Sequence, residues 1–248
     1  MVHGSIADAA SFSQLDSERF GIRVARAQVV AEGLTRVLDY CTAENIDLLI
    51  ARCATGDVVA AQTMERLGFL LTDTLLYYGF DLLRKSIPDY VREFVFRPIQ
   101  PGDQEPVRLI AVEAFKGYAG HYHSDTRLDP HQCDEAYASW AERSTRLKSA
   151  ADEVLVAEYK GKVVGFGTLR LNSPQEVEGL LYAVASDCRG RGVCGGLMIH
   201  SLRWCQSQGA RRMVISTQVT NVSMQKVWCR VGFEPCESYY TFHKWFQE

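Results

Sequence analysis

Residues 189–196 read R-G-R-G-V-C-G-G, a glycine-rich turn joining a strand-like run over 179–185 to a helix-like run over 197–208. Unhindered backbone N–H groups and a helix N-terminus converge there, and amides and helix dipole together make an anion site. The pattern predicts that Arg189, Gly190, Arg191, Gly192, Val193, Cys194, Gly195 and Gly196 hold a phosphate group. A turn built for ATP carries Lys-Ser or Lys-Thr after its glycines, and none follows Gly195. A dinucleotide turn lies early in a βαβ unit with an acid about 20 residues on; here Gly209 and Ala210 occupy that region and the motif is near the C-terminus.

A second concentration of reactive side chains is K-G-Y-A-G-H-Y-H-S-D-T-R-L at 116–128. It suits a polar ligand with flat and anionic parts. Tyr118 and Tyr122 offer rings for stacking, Arg127 a fork for phosphate, and Asp125 an acceptor for hydroxyls. His121 and His123 form an H-x-H pair with no third ligand at useful spacing, so a metal site is not expected.

The order of elements around the glycine turn carries a resemblance. Arg189, Gly192 and, imperfectly, Cys194 match the pattern Arg/Gln-x-x-Gly-x-Gly/Ala; a strand over 213–217, Asn221, a helical stretch and Gly232-Phe233 follow. This resembles the GNAT superfamily of N-acyltransferases over about residues 105–248, and implies that the turn cradles the pyrophosphate of coenzyme A. The resemblance further implies that backbone N–H groups of Tyr182, Ala183 and Val184, on a splayed strand, polarise the thioester carbonyl. Asn221 would touch the pantetheine arm, although a helix N-cap explains it equally. Glu178, eleven residues before Arg189, matches the family's general base; an exposed strand carboxylate is the plain alternative. Many members place a tyrosine seven residues after the Asn221 position as general acid, and here that residue is Trp228. An indole N–H donates a hydrogen bond but does not usefully release its proton. Trp228 is therefore a candidate donor near the sulfur or a core residue.

The chain repeats itself. Asp57-Val58 and Gly68-Phe69 recur at one constant offset as Asn221-Val222 and Gly232-Phe233, and the same offset lays 46–51 over 210–215. Two copies of one α/β unit are expected: a degenerate GNAT-like copy over 1–98 and an acyl-CoA-binding catalytic copy over 99–248. The fold class is α/β (α+β), with tandem mixed, twisted sheets flanked by helices. The constant offset sets Ala25 to Glu32 opposite the glycine turn, with its glycines gone and an acid in place of phosphate.

Taken with the turnless first half, the loop H-Y-H-S-D-T-R-L, the run T-Q-V-T-N at 217–221 and the tail Y-Y-T-F-H-K-W at 239–245 resemble the dTDP-fucosamine acetyltransferase group over nearly the whole chain. That implies acyl transfer from acetyl-CoA, or another short-chain acyl-CoA such as a 3-hydroxyacyl one, to the amine of a dTDP-linked amino-dideoxyhexose for O-antigen or a related glycan. His121 or His123 would then take a proton from the sugar ammonium. A GNAT enzyme for a peptide, polyamine or aminoglycoside, and a silent acyl-CoA-binding protein, are the alternatives.

Composition agrees. With 248 residues, 47% hydrophobic, the chain can bury two modest cores. A net charge of −3 without a basic stripe argues against nucleic acid. No apolar run approaches the roughly 20 residues of a membrane span, and 1–11 shows no signal pattern, so a cytoplasmic protein is expected. The eight cysteines contain no C-x-x-C pair and read as reduced core thiols. A homodimer is compatible with the sequence. The coarse pass gives strands at 46–51 and 75–82, a helix at 58–67, a linker or crossover strand at 86–104, helices at 106–115 and 133–144, and a hairpin of 153–159 with 163–171.

Overall fold

The structure, a computed structural model, describes residues 10–90 and 93–246. The N-terminal stretch on which the absence of a leader was read lies mostly outside these residues. In chain order the elements are β1 (Ala10–Phe12), α1 (Gln14–Phe20), β2 (Val24–Gln28), α2 (Leu34–Ala43), β3 (Leu48–Ala54), α3 (Val58–Arg66) and β4 (Leu70–Asp81). There follow β5 (Val95–Pro98), α4 (Gln104–Phe115), α5 (Pro130–Ser144), β6 (Glu153–Tyr159), β7 (Lys162–Ser173), β8 (Glu176–Val184), α6 (Val193–Ser207), β9 (Arg212–Gln218), α7 (Val222–Val231) and β10 (Glu234–Trp245).

The described residues form two compact units. The first runs to Leu76 and adds Ala119–Cys133 and the tail from Glu237; the second is Tyr77–Tyr118 with Asp134–Cys236. In the first, β1 pairs antiparallel with β2, β2 parallel with β3, and β3 antiparallel with β10. In the second, β5 to β8 are antiparallel neighbours and β9 joins β8 in parallel. All ten strands belong to one mixed sheet, and helices cover the strands of each unit. Val37, Cys41 and Met64 from the helices pack with Leu49, Ala51 and Phe242 from the strands in one core, and Phe166, Leu197, Met198, Leu202 and Met213 are fully buried in the other.

The repeat is visible to the residue in places. Leu48 and Arg212 open β3 and β9, and Val58 and Val222 open α3 and α7. Asp57 Oδ1 accepts from Ala60 N at the first helix start and Asn221 Oδ1 from Met224 N at the second, a side-chain cap on otherwise unsatisfied amides. Gly68 and Gly232 follow α3 and α7 in the left-handed region, at φ 77° and 108°, and turn the chain into β4 and β10.

The first copy departs at the turn. Register pairs Val24 with Leu48 in one copy and Glu176 with Arg212 in the other. The chain from Val24 to Leu48 is shorter than that from Glu176 to Arg212, so the first copy carries a deletion between its paired strands. The ungapped expectation needs correcting: Ala25, Arg26, Ala27 and Gln28 are strand, not turn. The true counterpart of the glycine turn is Val29, Val30 and a 3-10 turn at Ala31–Gly33. Its amides are consumed internally, Val29 N by Arg52 O at 2.7 Å and Ala31 N by Asp57 Oδ2 at 3.3 Å. No open cradle remains there.

The closing strands also explain why the packing units are not contiguous and so divide differently from a boundary at 98/99. In a simple repeat β4 would pair with β3. Instead Tyr239 to Trp245 of β10 pair with Ala54 to Leu48, while β4 lies beside β9 and Leu82 N donates to Arg211 O at 2.9 Å. Both closing strands carry the same aromatic pattern, Y-Y-G-F at 77–80 and Y-Y-T-F at 239–242. Either one presents a suitable face to either partner.

Candidate active site

The glycine turn is built as expected. Gly190 and Gly192 adopt φ 75° and 87°, a region closed to most side chains. Gly192 caps α6, and the first intrahelical bond there runs from Gly196 N to Gly192 O at 3.1 Å. The N–H groups of Val193, Cys194 and Gly195 precede it and lie in the first turn, where the helix supplies no acceptor. A Cβ added at Gly190 or Gly195 would meet nothing within 4 Å, so the space before these amides is open. Gly196 is different, because a Cβ there would lie 2.2 Å from Phe96; it lets α6 approach β5.

The two arginines part company. Arg189 Nε donates to Val184 O at 3.2 Å and the side chain is exposed. Arg191 is drawn away from the turn by an ion pair with Glu93, with its guanidinium 4.5 Å from the Tyr159 ring centre and 5.0 Å from that of Phe94. Cys194 Sγ lies 3.8 Å from Met224 Sδ, and burial pushes its thiol up to about 12. It is not a nucleophile at neutral pH.

The strand before the turn is bent by a bulge. Thr168 pairs with Leu181 and Leu169 with Gly179, which leaves Leu180 as the extra residue. Thr168, fully buried, brackets that point: its hydroxyl accepts from Leu181 N at 3.1 Å and reaches Leu181 O at 3.4 Å. A bulge bends its strand, and the β8–β9 register runs only from Glu176/Arg212 to Gly179/Ile215 although both strands continue. Leu181 N points toward β7, so by alternation the amides of Tyr182 and Val184 face the side from which β9 has diverged. The phenol of Tyr182 serves packing: it shares a hydrogen bond with Ser201 at 2.9 Å, and burial drives its pKa well above the usual range. Thr168→Val keeps the shape and removes the bracket, and should cost about 1–3 kcal/mol because Leu181's buried groups lose a partner. Urea unfolding measures it; an unchanged midpoint would show that the bulge stands without Thr168.

At the end of β9 the Tyr118 hydroxyl donates to Gln218 Oε1. Asn221 Nδ2 donates to Thr217 Oγ1 at 2.9 Å and approaches the Tyr118 oxygen at 3.5 Å. Asn221 therefore caps α7 and belongs to a polar cluster on the diverging strand. Trp228 is buried on α7 against Tyr78, with ring centres 5.4 Å apart. Its Nε1 has no hydrogen-bond partner among the described residues, the one feature that helix packing does not explain. Glu178 lies on β8 beside Arg170 and Val214 in register, and its Oε2 accepts from Asn172 at 3.1 Å.

Within the first unit, the loop residues and the tail form a buried polar cluster. Tyr122, expected to stack on substrate, is interior: its hydroxyl donates to Asp16 Oδ1 at 2.7 Å and accepts from Arg26 at 2.6 Å, and burial raises it to about 12. Asp125, expected to meet hydroxyls, is 2% exposed. Its Oδ2 accepts from His243 Nδ1 at 2.7 Å and Trp245 Nε1 at 2.9 Å, and its Oδ1 from Arg127 N at 3.0 Å. Burial opposes that carboxylate, but these donors hold its pKa below the usual value. His121 is buried, with Nδ1 3.0 Å from His243 Nε2. His123 is half-buried. Arg127 is exposed, with its guanidinium over Trp245 at 4.1 Å. His243 and Trp245 were not among the expected site residues. Their i, i+2 spacing on a strand, which sends both to one face, was the available signal.

Residues 118–233 match the acetyltransferase (GNAT) family. The chain carries a GNAT acetyltransferase domain. A spore coat polysaccharide biosynthesis protein, SpsD, of Bacillus subtilis (strain 168) is 24% identical over 207 residues, 82% of this chain and 68% of that protein. Among solved structures, a GCN5-related N-acetyltransferase from Sphaerobacter thermophilus is 16% identical with a TM-score of 0.60, covering 96% of this chain and 76% of that one. A tandem GNAT protein from the clavulanic acid biosynthesis pathway is 13% identical with a TM-score of 0.62, covering 91% and 76%. The mixed α/β fold is thus shared with GNAT acetyltransferases, one of them a tandem GNAT.

The protein is an acyl-CoA-dependent N-acyltransferase. The second unit fits coenzyme A by its own features: open cradle positions at Gly190 and Gly195, first-turn amides of α6, and a diverging β8 with two amides turned to the gap. When bound, coenzyme A would supply an activated acyl carbon through its thioester, and these amides would be the groups to hold its pyrophosphate and meet a developing oxyanion. Among the described residues no three His, Cys, Asp or Glu side chains are placed to hold a metal ion, and no helix is long and apolar enough to cross a membrane.

Proposed function

We propose that the enzyme transfers an acetyl or short 3-hydroxyacyl group from acyl-CoA to the amino group of a dTDP-linked amino-dideoxyhexose. The observation that carries this reading is the match to the spore coat polysaccharide protein, which spans 82% of this chain and so extends well outside residues 118–233. The amine attacks the thioester carbonyl directly, since the turn's only thiol, Cys194, stays protonated. Residues 189–195 hold the pyrophosphate, Tyr182 and Val184 offer their amides, and Asn221 and Trp228 lie on the pantetheine side. Exposed Arg127 supports recognition of a diphosphate, because stacking on Trp245 fixes the plane of its guanidinium and a fixed fork suits phosphate oxygens.

Arg127→Ala should raise the Michaelis constant for the sugar by one to two orders of magnitude, the loss expected from a charge-assisted contact of about 1.5–3 kcal/mol. Acetyl-CoA affinity should stay unchanged. Steady-state kinetics with dTDP-4-amino-4,6-dideoxygalactose and its 3-amino isomer, with mass spectrometry of the products, tests both acceptor class and amine position. Wild-type enzyme that acylates a polyamine or aminoglycoside but neither sugar would refute the nucleotide-sugar reading.

A further inference from the structure

Arg191 stands between Gly190 and Gly192, whose backbones are left-handed at φ 75° and 87°. Glycine takes up φ of either sign about equally well, so the sequence G-R-G does not by itself select the bend that brings the α6 amides together. A Cβ at Gly190 would meet nothing within 4 Å, and Arg189 is tied by an exposed bond to Val184 O at 3.2 Å. The side chain of Arg191 is seated more firmly, on three segments that all belong to the second unit. Its Nη2 is paired with Glu93, just before β5. Its guanidinium lies 5.0 Å from the ring centre of buried Phe94 and 4.5 Å from that of Tyr159 at the end of β6, two rings that are themselves 5.2 Å apart. Nη1 lies 3.8 Å from Sγ of buried Cys188, in the 3-10 turn that precedes the glycines. A guanidinium is planar, stacks on aromatic faces and grips a carboxylate with its fork, so these contacts fix one orientation. Tyr159 first and Glu93 second raise its pKa above the usual arginine value.

We propose that Arg191 is a positioning residue for the coenzyme: its side chain, clamped on Phe94, Tyr159 and Glu93, holds the glycine turn in its binding shape and leaves the phosphates to the backbone amides. The inference rests on the reading that this turn receives the pyrophosphate. An arginine inside a phosphate turn has the charge and the bidentate fork to grip the ligand itself. Here the fork is engaged by Glu93 and Cys188 and the guanidinium by two rings, so a direct grip would first have to undo every one of these contacts. The clamp works before the ligand arrives. A turn with two left-handed glycines that had to be ordered on binding would lose affinity, and a turn already held in the bound shape avoids that loss. The residue types divide accordingly. Glycines keep the space before the amides open, and the one long side chain between them reaches β5 and β6 and anchors the bend.

Amide ¹⁵N relaxation and calorimetry with coenzyme A, both on the full chain, test the clamp. In the free wild-type protein Gly190 and Gly192 should show order parameters of about 0.85, and Arg191→Gln or Tyr159→Leu should drop them below about 0.6. Both variants should raise the dissociation constant of coenzyme A roughly tenfold, because the ordering cost returns. Tyr159→Leu discriminates, since it removes the seat and keeps the charges of Arg191 and Glu93. If Arg191 acted by touching phosphate, freeing it from Tyr159 would leave the affinity unchanged or tighten it, and that result overturns the proposal. The two losses should not add: in the Arg191→Gln background Tyr159→Leu should cost less than about twofold, as expected of residues that act through one contact. Fully additive losses overturn the clamp as well. Should Tyr159→Leu fail to fold, Arg191→Gln, at a half-exposed side chain, decides alone, and wild-type order parameters in that variant overturn the proposal. The reading of the site fails separately. If coenzyme A binds wild-type protein without shifting the amide signals of residues 190–195, the pyrophosphate lies elsewhere, while the order parameters of the free variants still decide whether Arg191 shapes the turn.

Discussion

Gly195→Asp should abolish measurable coenzyme A binding while leaving the protein folded. Position 195 has an ordinary helical backbone, and a Cβ there meets nothing within 4 Å, so the new side chain strains nothing. It falls in the first turn of α6, where an acid interacts favourably with the helix dipole. For the ligand the same charge is adverse. Two unit charges about 4 Å apart repel by about 1 kcal/mol in bulk water and about 4 at an effective dielectric of 20, and pyrophosphate brings more than one charge. At 1.4 kcal/mol per factor of ten, the dissociation constant should rise at least roughly 100-fold. Gly195→Ala separates shape from charge: it fills the cradle with one methyl group, favours the helix, and should cost much less. Isothermal calorimetry with coenzyme A reads both. A folded Asp variant with wild-type affinity would move the phosphate site away from this turn.

The contrast between copies shows what was legible in the sequence. A constant offset found β3 with β9 and α3 with α7, because those segments keep both their lengths and their caps, Asp57 and Asn221. It failed at the turn, because an ungapped offset cannot register the chain deleted between β2 and β3. The failure has a physical signature in the structure: β2 stays bonded to β3 through Val29 N, whereas β8 is bulged at Leu180 and parts from β9 after Gly179. Neither the bulge nor the Thr168 bracket has a sequence marker, since any buried threonine on a strand looks alike. The exchange of β4 and β10 was hidden for the opposite reason. Two strands with the same Y-Y-x-F pattern give little local preference between partners, so only the assembled sheet decides.

The acceptor loop was legible in its residue types but not in their directions. H-Y-H-S-D-T-R reads as an exposed polar segment, yet Tyr122 and Asp125 turn inward, and the tail contributes His243 and Trp245 from the far end of the chain. Buried polar groups of this kind are sustained only when every donor finds an acceptor. Arg26, Asp16 and Tyr122 close one such set and Asp125, His243 and Trp245 another. Arg127 holds its guanidinium at the surface, over Trp245. The functional candidates in the loop therefore narrow to His121, His123 and Arg127.

His121→Asn should then lower kcat roughly 100-fold or more, the range typical of losing a general base, with the Michaelis constants of both substrates nearly unchanged. Asparagine can keep a hydrogen bond to His243 Nε2, because its amide offers both a donor and an acceptor, but it presents no basic nitrogen. Glu178→Gln provides the comparison. That carboxylate lies on β8 with Asn172 as its hydrogen-bond partner at 3.1 Å, and glutamine preserves this contact, so a structural glutamate should lose only a few-fold in turnover. His123→Asn, at the half-buried second histidine of the pair, gives the other comparison. The pH dependence adds a sign. His121 has a depressed pKa, so the wild-type acid limb should lie below 6.5, and activity should persist into mildly acidic buffer and fall as pH drops through it. A loss of roughly 100-fold in Glu178→Gln, with His121→Asn close to wild type, would assign the base to the strand carboxylate and leave His121 a structural residue of the first unit.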